Sequence, residues 1–307
     1  MIRPPIGRIV VKRPMRVSTH LLKCVGYVAE RLPSVIGQEE YDPYATGFFV
    51  GIRSESTGRY HALFVTAKHV ADDLENHEIG FIANTKDGGT APLSMASDKW
   101  FFHPTEASSV DIAVLPFFVD PNFDIVLVQT ELFATPQFLE GQKMGLGDEV
   151  FFPGLFTFAP GSKAIHPIVR MGNVAMIPNG EIQVDGGFAD VYLIESRSIG
   201  GLSGSPVFIR GTIAQDAIGA TADDERFMGL SSQAYLFGVM HGHWDIASDI
   251  NDSRLKFTRK NGVNMGISVV VPAHKLLEVI NHPELVAMRA RADAELLRSM
   301  TPTPDSK

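Results

Sequence analysis

Short apolar runs separated by turn-forming residues fill the first 272 positions. Residues 24–30 and 46–53 read as strands with Pro33, Gly37 and Pro43 between them, and Tyr60–Thr66 continues the meander. A polar stretch at 71–78 reads as a helical turn. Further strands and loops follow over 79–110, with Gly88-Gly89 at a turn and His103-Pro104 in a loop, before a strand beginning at Asp111-Ile112-Ala113-Val114-Leu115. Residues 116–145 hold a short strand and otherwise read as a proline-broken connection. A second series begins near Gly147–Phe152, is turned by Pro153-Gly154, and runs to 210. Phe237–Met240 and Met265–Val271 supply later strands. This pattern predicts an all-β chain up to Pro272. Beyond it, Ala273–Ile280 carries apolar residues at helical spacing, and Pro283 suits the first turn of a second helix with Leu285, Met288, Leu296 and Leu297 as apolar positions. The Thr-Pro-Thr-Pro tail from 301 has the composition of an unstructured segment.

At 307 residues with 45% hydrophobic positions, the chain can bury two cores of ordinary size. Its net charge of −8 argues against nucleic acid as a partner, because phosphate binding needs a basic face. No apolar run approaches the roughly eighteen residues of a membrane span. Residues 1–23 scatter Arg3, Arg8, Lys12, Arg13, Arg16 and Lys23 among prolines; they lack a secretory apolar region and read as a solvated arm or a strand laid along the first sheet. Cys24 is the sole cysteine, so no intrachain disulfide forms, and it reads as a small buried hydrophobe. A reducing, cytoplasmic setting is the expectation.

Candidate chemistry lies in three stretches. Ile199-Gly200-Gly201-Leu202-Ser203-Gly204-Ser205-Pro206-Val207 is a glycine-rich turn feeding an apolar strand. Glycines there let backbone amides converge beside the Ser203 hydroxyl instead of pairing in a ladder. Phe64–Val70 is an apolar strand that ends at His69. Asp111 stands immediately before Ile112-Ala113-Val114-Leu115, which draws the carboxylate toward the interior, where it is costly unless a donor such as an imidazole N–H awaits it.

The segments TAKHV at 66–70, DIAVL at 111–115 and GLSGSPVF at 201–208, in the order His, Asp, Ser, resemble the chymotrypsin-like (trypsin-fold) serine proteases, especially disulfide-poor bacterial members. TGFFVG at 46–51 resembles the strand before the histidine, and 237–240 and 265–272 resemble the closing strands; the likeness spans roughly 25–275. It implies two six-stranded antiparallel β-barrels, at 24–125 and 146–272, joined by a linker at 126–145, with C-terminal helices at 273–300 packed on the second barrel.

The resemblance also implies an activity. Ser203 would be the nucleophile, His69 its base and Asp111 the group that fixes the imidazole tautomer. The amides of Gly201 and Ser203 would form the oxyanion hole, and no metal or organic cofactor is required. The implied partner is a polypeptide substrate, with neither nucleic acid nor membrane; a regulatory partner stays open. Activation by a new N-terminus, which trypsin-like zymogens couple to an acid before the serine, is not expected, because Leu202 stands there. Lys68 beside His69 either lowers the imidazole pKa or points to solvent. Arg197, His241 and His243 fall where the family builds its specificity pocket and would favour an acidic residue on the amino side of the cut, unless Arg197 pairs with Glu195. A metal site from His241, His243 and Asp245 would need a further ligand. The long connections at 211–234 and 244–263 would either restrict access or be surface insertions. The alternative to a peptidase is a binding or scaffolding protein of the same fold whose site is idle or gated by a partner.

Overall fold

The computed structural model describes residues 17–32, 40–156, 161, 163–184, 187–196, 201–210, 234–245 and 264–300, with 243–245 and 264–265 described by backbone alone. The basic arm up to Arg16, the tail from 301 and nearly all of both long connections lie outside these residues.

The first half comprises β1 (Val25–Leu32), β2 (Glu40–Arg53), β3 (Tyr60–Thr66), β4 (Ile79–Asn84), β5 (Thr90–Pro92), β6 (Ala113–Phe117) and β7 (Val128–Gln129). Their order is β5-β4-β1-β2-β3-β6, all antiparallel, with β7 added parallel to β2. The outer ends meet: Met95 bridges Phe117, Ala96 N–H donates to Pro116 (2.8 Å) and Phe118 N–H to Ser94 (2.9 Å). The first half is therefore a seven-stranded sheet whose β6 edge is met by the segment after β5, through the bridges Met95↔Phe117 and Phe101↔Val114, rather than by β5 itself.

The second half comprises β8 (Glu149–Gly154), β9 (Ile168–Met176), a small hairpin of β10 (Ile182–Val184) and β11 (Gly187–Ala189), then β12 (Tyr192–Glu195), β13 (Pro206–Arg210), β14 (Ala234–Asp245) and β15 (Asn264–Pro272). Strands β12-β15-β14-β13-β8-β9 form a closed six-stranded barrel, as the chymotrypsin-like architecture requires.

Several boundaries differ from the sequence reading. β2 starts at Glu40 rather than 46 because it pairs β1 as far as Leu32↔Glu40, with Pro43 taken up at a register shift after Val28. Pro153-Gly154 is no turn but the end of β8, paired with Val169 and Ile168. β13 pairs β8 only at Glu149–Phe151, so the missing N–H of Pro153 breaks no bond on that side. The linker contains a helix, α2 (Pro136–Gln142), following α1 (Lys68–Asp73) in chain order; Thr135 caps α2 by accepting from Phe138 N–H (3.2 Å), a start signal already present in Thr135-Pro136.

Helices α3 (Ala273–Ile280) and α4 (Pro283–Met300) complete the fold. Rather than resting on the second barrel alone, they bridge the two halves. Leu276, Val279, Ile280 and Leu285 join a core that includes Phe48, Val110, Ile112 and Val114 from the first half and Phe151, Phe208 and Val239 from the second. Polar contacts tie the helices to the first half: Lys275 to Glu106 (2.7 Å), His103 Nε2 to Glu278 (2.5 Å), and His61 Nε2 to Asp293 (2.9 Å). Each barrel also has its own interior cluster. Val110 and Ile112, 4% and 0% exposed, anchor Asp111 from both sides in the shared core, so the acid sits at the seam between barrels.

Candidate active site

His69 stands at the first turn of α1, immediately beyond β3, and Asp111 lies two residues before β6. β3 and β6 are neighbours, with Thr66 opposite Ala113, so the sheet brings the two residues together. Asp111 Oδ1 accepts from the His69 backbone N–H (2.8 Å), and Oδ2 lies 2.8 Å from His69 Nδ1. Oδ2 meets a third donor, His241 Nδ1 on β14, at 2.5 Å. Burial works to raise the Asp111 pKa, but hydrogen bonds from His241 and His69 and their charges outweigh it and hold the carboxyl well below the usual range. An ionised carboxylate only accepts, so the neutral His69 ring carries its proton on Nδ1 and offers the Nε2 lone pair. The ring is 40% exposed against 13% for the Asp111 side chain, which leaves the base accessible and the acid shielded.

For His69, burial works to lower the pKa, while the Asp111 hydrogen bond and charge, helped by Asp73 and Asp72, raise it above its ordinary value. A raised histidine pKa stabilises the fold below the ordinary value of about 6.5, and that contribution is lost as pH rises through the folded value. A histidine acting as a base must be neutral, so in that role the two trends oppose one another. The acid limb of kcat/KM is expected to have its midpoint above about 6.5. A pH–rate profile with a lower midpoint would contradict this assignment. Lys68 pairs with Asp72 and lies over the Phe102 ring.

Ser203 sits on the turn before β13. Gly201 and Gly204 take φ of +88° and +80°, and a Cβ on Gly204 would stand 2.2 Å from the Thr46 carbonyl oxygen. The turn hangs on Thr46, which is fully buried. Thr46 N–H donates to the Ser203 carbonyl (3.2 Å); its hydroxyl donates to the Gly201 carbonyl (2.7 Å) and accepts from Leu155 N–H (2.7 Å); its own carbonyl accepts from the Thr66 hydroxyl (2.8 Å). One β2 residue thus fixes the Ser203 turn against β3 and β8. Thr46→Val is expected to cost about 1–3 kcal/mol in denaturant unfolding, because the Leu155 N–H is left buried and unpaired, whereas Thr46→Ser should restore most of the loss.

Among the described residues the amides of Gly201 and Ser203 enter no backbone hydrogen bond, and the Ser203 hydroxyl donates to the His241 carbonyl (3.3 Å) rather than to His69. Leu202 is fully buried in the second barrel's interior. Arg197 and Gly200 lie outside the described residues, as does the side chain of His243. His241, expected on the pocket wall, turns its ring to Asp111 instead. Sequence reasoning missed this contact and the role of Thr46; neither position carries a local signal. His103 is structural, its Nδ1 accepting from Glu106 N–H (2.9 Å) while Nε2 faces Glu278. Cys24 is buried, its thiol pKa pushed up by desolvation, which suits a packing role.

His69, Asp111 and His241 also present three metal-ligating atoms close together. The His69 Nδ1–Oδ2 separation of 2.8 Å is that of a hydrogen bond, and the His241 Nδ1–Oδ2 contact is shorter than an ordinary one. Ligands about 2.0–2.2 Å from a tetrahedral ion would stand roughly 3.3 Å apart. With both Nδ1 atoms on Asp111 Oδ2, that oxygen is one acceptor for two donors, and the Nε2 atoms take no part in these contacts.

The strand order, the closed second barrel and the placement of the site at the seam define a chymotrypsin-like fold. No protein-family model matches the chain, and no curated protein matches it in sequence. Among solved structures the chain is similar to the MamO protease domain from Magnetospirillum magneticum in its apo form, at 15% identity and a TM-score of 0.48, over 84% of this chain and 96% of that one. So distant a likeness says nothing about chemistry. Among the described residues no helix is long and apolar enough to cross a membrane.

Proposed function

We propose that this protein is a serine endopeptidase. The observation that carries the reading is the fixed Asp111–His69 pair, gripped at both carboxylate oxygens, together with a serine on a glycine turn that meets His241, the residue whose ring also meets Asp111. In this reading Ser203 Oγ attacks the peptide carbonyl carbon as its proton passes to His69 Nε2, and Asp111 stabilises the imidazolium. The carbonyl oxygen takes up negative charge against the amides of Gly201 and Ser203; one such donor is worth about 2.7–4 kcal/mol of barrier. The C–N bond then breaks, His69 returns the proton to the leaving amine, and an acyl-enzyme remains. Water repeats the sequence, giving the second product and free Ser203.

One observation favours a second reading, a binding protein whose site is held idle until a partner acts. The Ser203 hydroxyl donates to the His241 carbonyl, and no hydrogen bond joins it to His69. Treatment with a fluorophosphonate probe followed by intact-mass spectrometry separates the two. A peptidase gains one adduct, and the Ser203→Ala variant gains none. An unlabelled wild type would count against the peptidase and for the idle site.

A further inference from the structure

His241 touches two members of the site at once. Its ring meets Asp111 Oδ2 and its carbonyl accepts the Ser203 hydroxyl, so one residue of β14 holds the acid and the resting nucleophile. The ring stands edge-on to His69, centroids 5.6 Å apart and planes at 79°, which keeps both Nδ1 atoms directed at a single oxygen. Asp111 meets both rings, Asp73 and Asp72 on α1 act on His69 through their charge, and the Ser203 hydroxyl meets the His241 carbonyl.

A carboxylate oxygen that accepts two N–H donors has its charge stabilised twice. What His241 takes is no longer offered to His69. We propose that His241 is a positioning residue of this site: its ring orients Asp111, its carbonyl holds Ser203 in the resting state, and its share of the acid makes His69 a weaker base than Asp111 alone would. The consequence for turnover rests on the peptidase reading; the hydrogen bonding does not.

The test separates the two. In wild-type protein, long-range 1H–15N spectra are expected to show the neutral forms of both His69 and His241 as Nδ1–H tautomers. An Nε2–H tautomer at His241 would overturn the proposal without any substitution. Next, His241→Leu removes the donor and should raise the His69 midpoint by about one pH unit, a tenfold change in proton affinity. His241→Asn keeps an amide N–H close to where His Nδ1 lies and should return the midpoint toward wild type. An unchanged midpoint in a His241→Leu protein that melts like the wild type would overturn the proposal. In kinetics, the acid limb of kcat/KM should move with the NMR midpoint. If the midpoints move as expected while the wild type fails to label with the fluorophosphonate, the peptidase reading falls and the role of His241 in holding Asp111 stands. If the wild type labels and the midpoints stay fixed, the reverse holds.

Discussion

Ser203→Ala is expected to lower kcat for peptide hydrolysis by roughly 10⁶-fold while leaving the melting temperature nearly unchanged. In the peptidase reading the size follows from covalent catalysis: without Oγ there is no acyl-enzyme, and His69 can at best activate a water that is not fixed in place. Stability is spared because the hydroxyl makes one long contact, 3.3 Å to the His241 carbonyl, at a half-buried position. The turn itself is held by backbone, through Thr46 N–H to the Ser203 carbonyl and Gly204 N–H to the Met240 carbonyl (2.8 Å). Steady-state assay against a quenched peptide library with purified variant checks this. Residual activity within a hundredfold of wild type would mean that another group performs the chemistry.

Asp111→Asn is expected to lower kcat by about 10⁴-fold, and here the arrangement of donors makes the reason specific. The carboxylate accepts three N–H groups: His69 backbone, His69 Nδ1 and His241 Nδ1. An asparagine offers one oxygen and one NH2. If its oxygen keeps the His69 backbone bond, the NH2 faces both rings and forces them to accept on Nδ1. That moves the His69 proton to Nε2, where it blocks removal of the Ser203 proton. Turned the other way, the NH2 meets the His69 backbone N–H, donor against donor, in a part-buried site. Imidazole 15N spectra should show the His69 tautomer reversed or its backbone amide shifted; an unaltered tautomer with wild-type turnover would dismiss Asp111 as the orienting acid. The variant should also flatten the acid limb of stability. Asp111 has a depressed pKa in the folded protein, so its contribution is present above the ordinary value of about 3.9 and is lost as pH falls through the folded value.

How far the site was legible can be judged residue by residue. His69, Asp111 and Ser203 each sit at a junction that the chain marks locally: an apolar strand ending at a histidine, an acid immediately before four apolar residues, a serine among glycines. Strand existence was legible for the same reason, since a period of two and a burst of apolar residues need no tertiary partner to be recognised. Boundaries were less so. The placement of Pro153-Gly154 inside β8 depends on β13 ending its pairing at Phe151, a fact about another strand. The bridging position of α3 and α4 depends on Glu106, His103 and His61, which the first half presents to helices more than 150 residues away in sequence.

The sequence by itself determined the β-rich order of elements, the switch to helix after Pro272, and the residues that chemistry would need. Tertiary structure alone decided what those residues touch. His241 reaches Asp111 across 130 residues, and Thr46 reaches the Ser203 turn across 155, because β14 of one barrel and β2 of the other face the same seam. The physical reason is a difference in range. Periodicity and turn chemistry are set by neighbours along the chain, whereas a hydrogen bond between side chains is set by where two separately folded sheets place their edges. That placement is fixed by the shared core around Val110, Ile112, Phe208 and Leu276, to which every one of these elements contributes only in part.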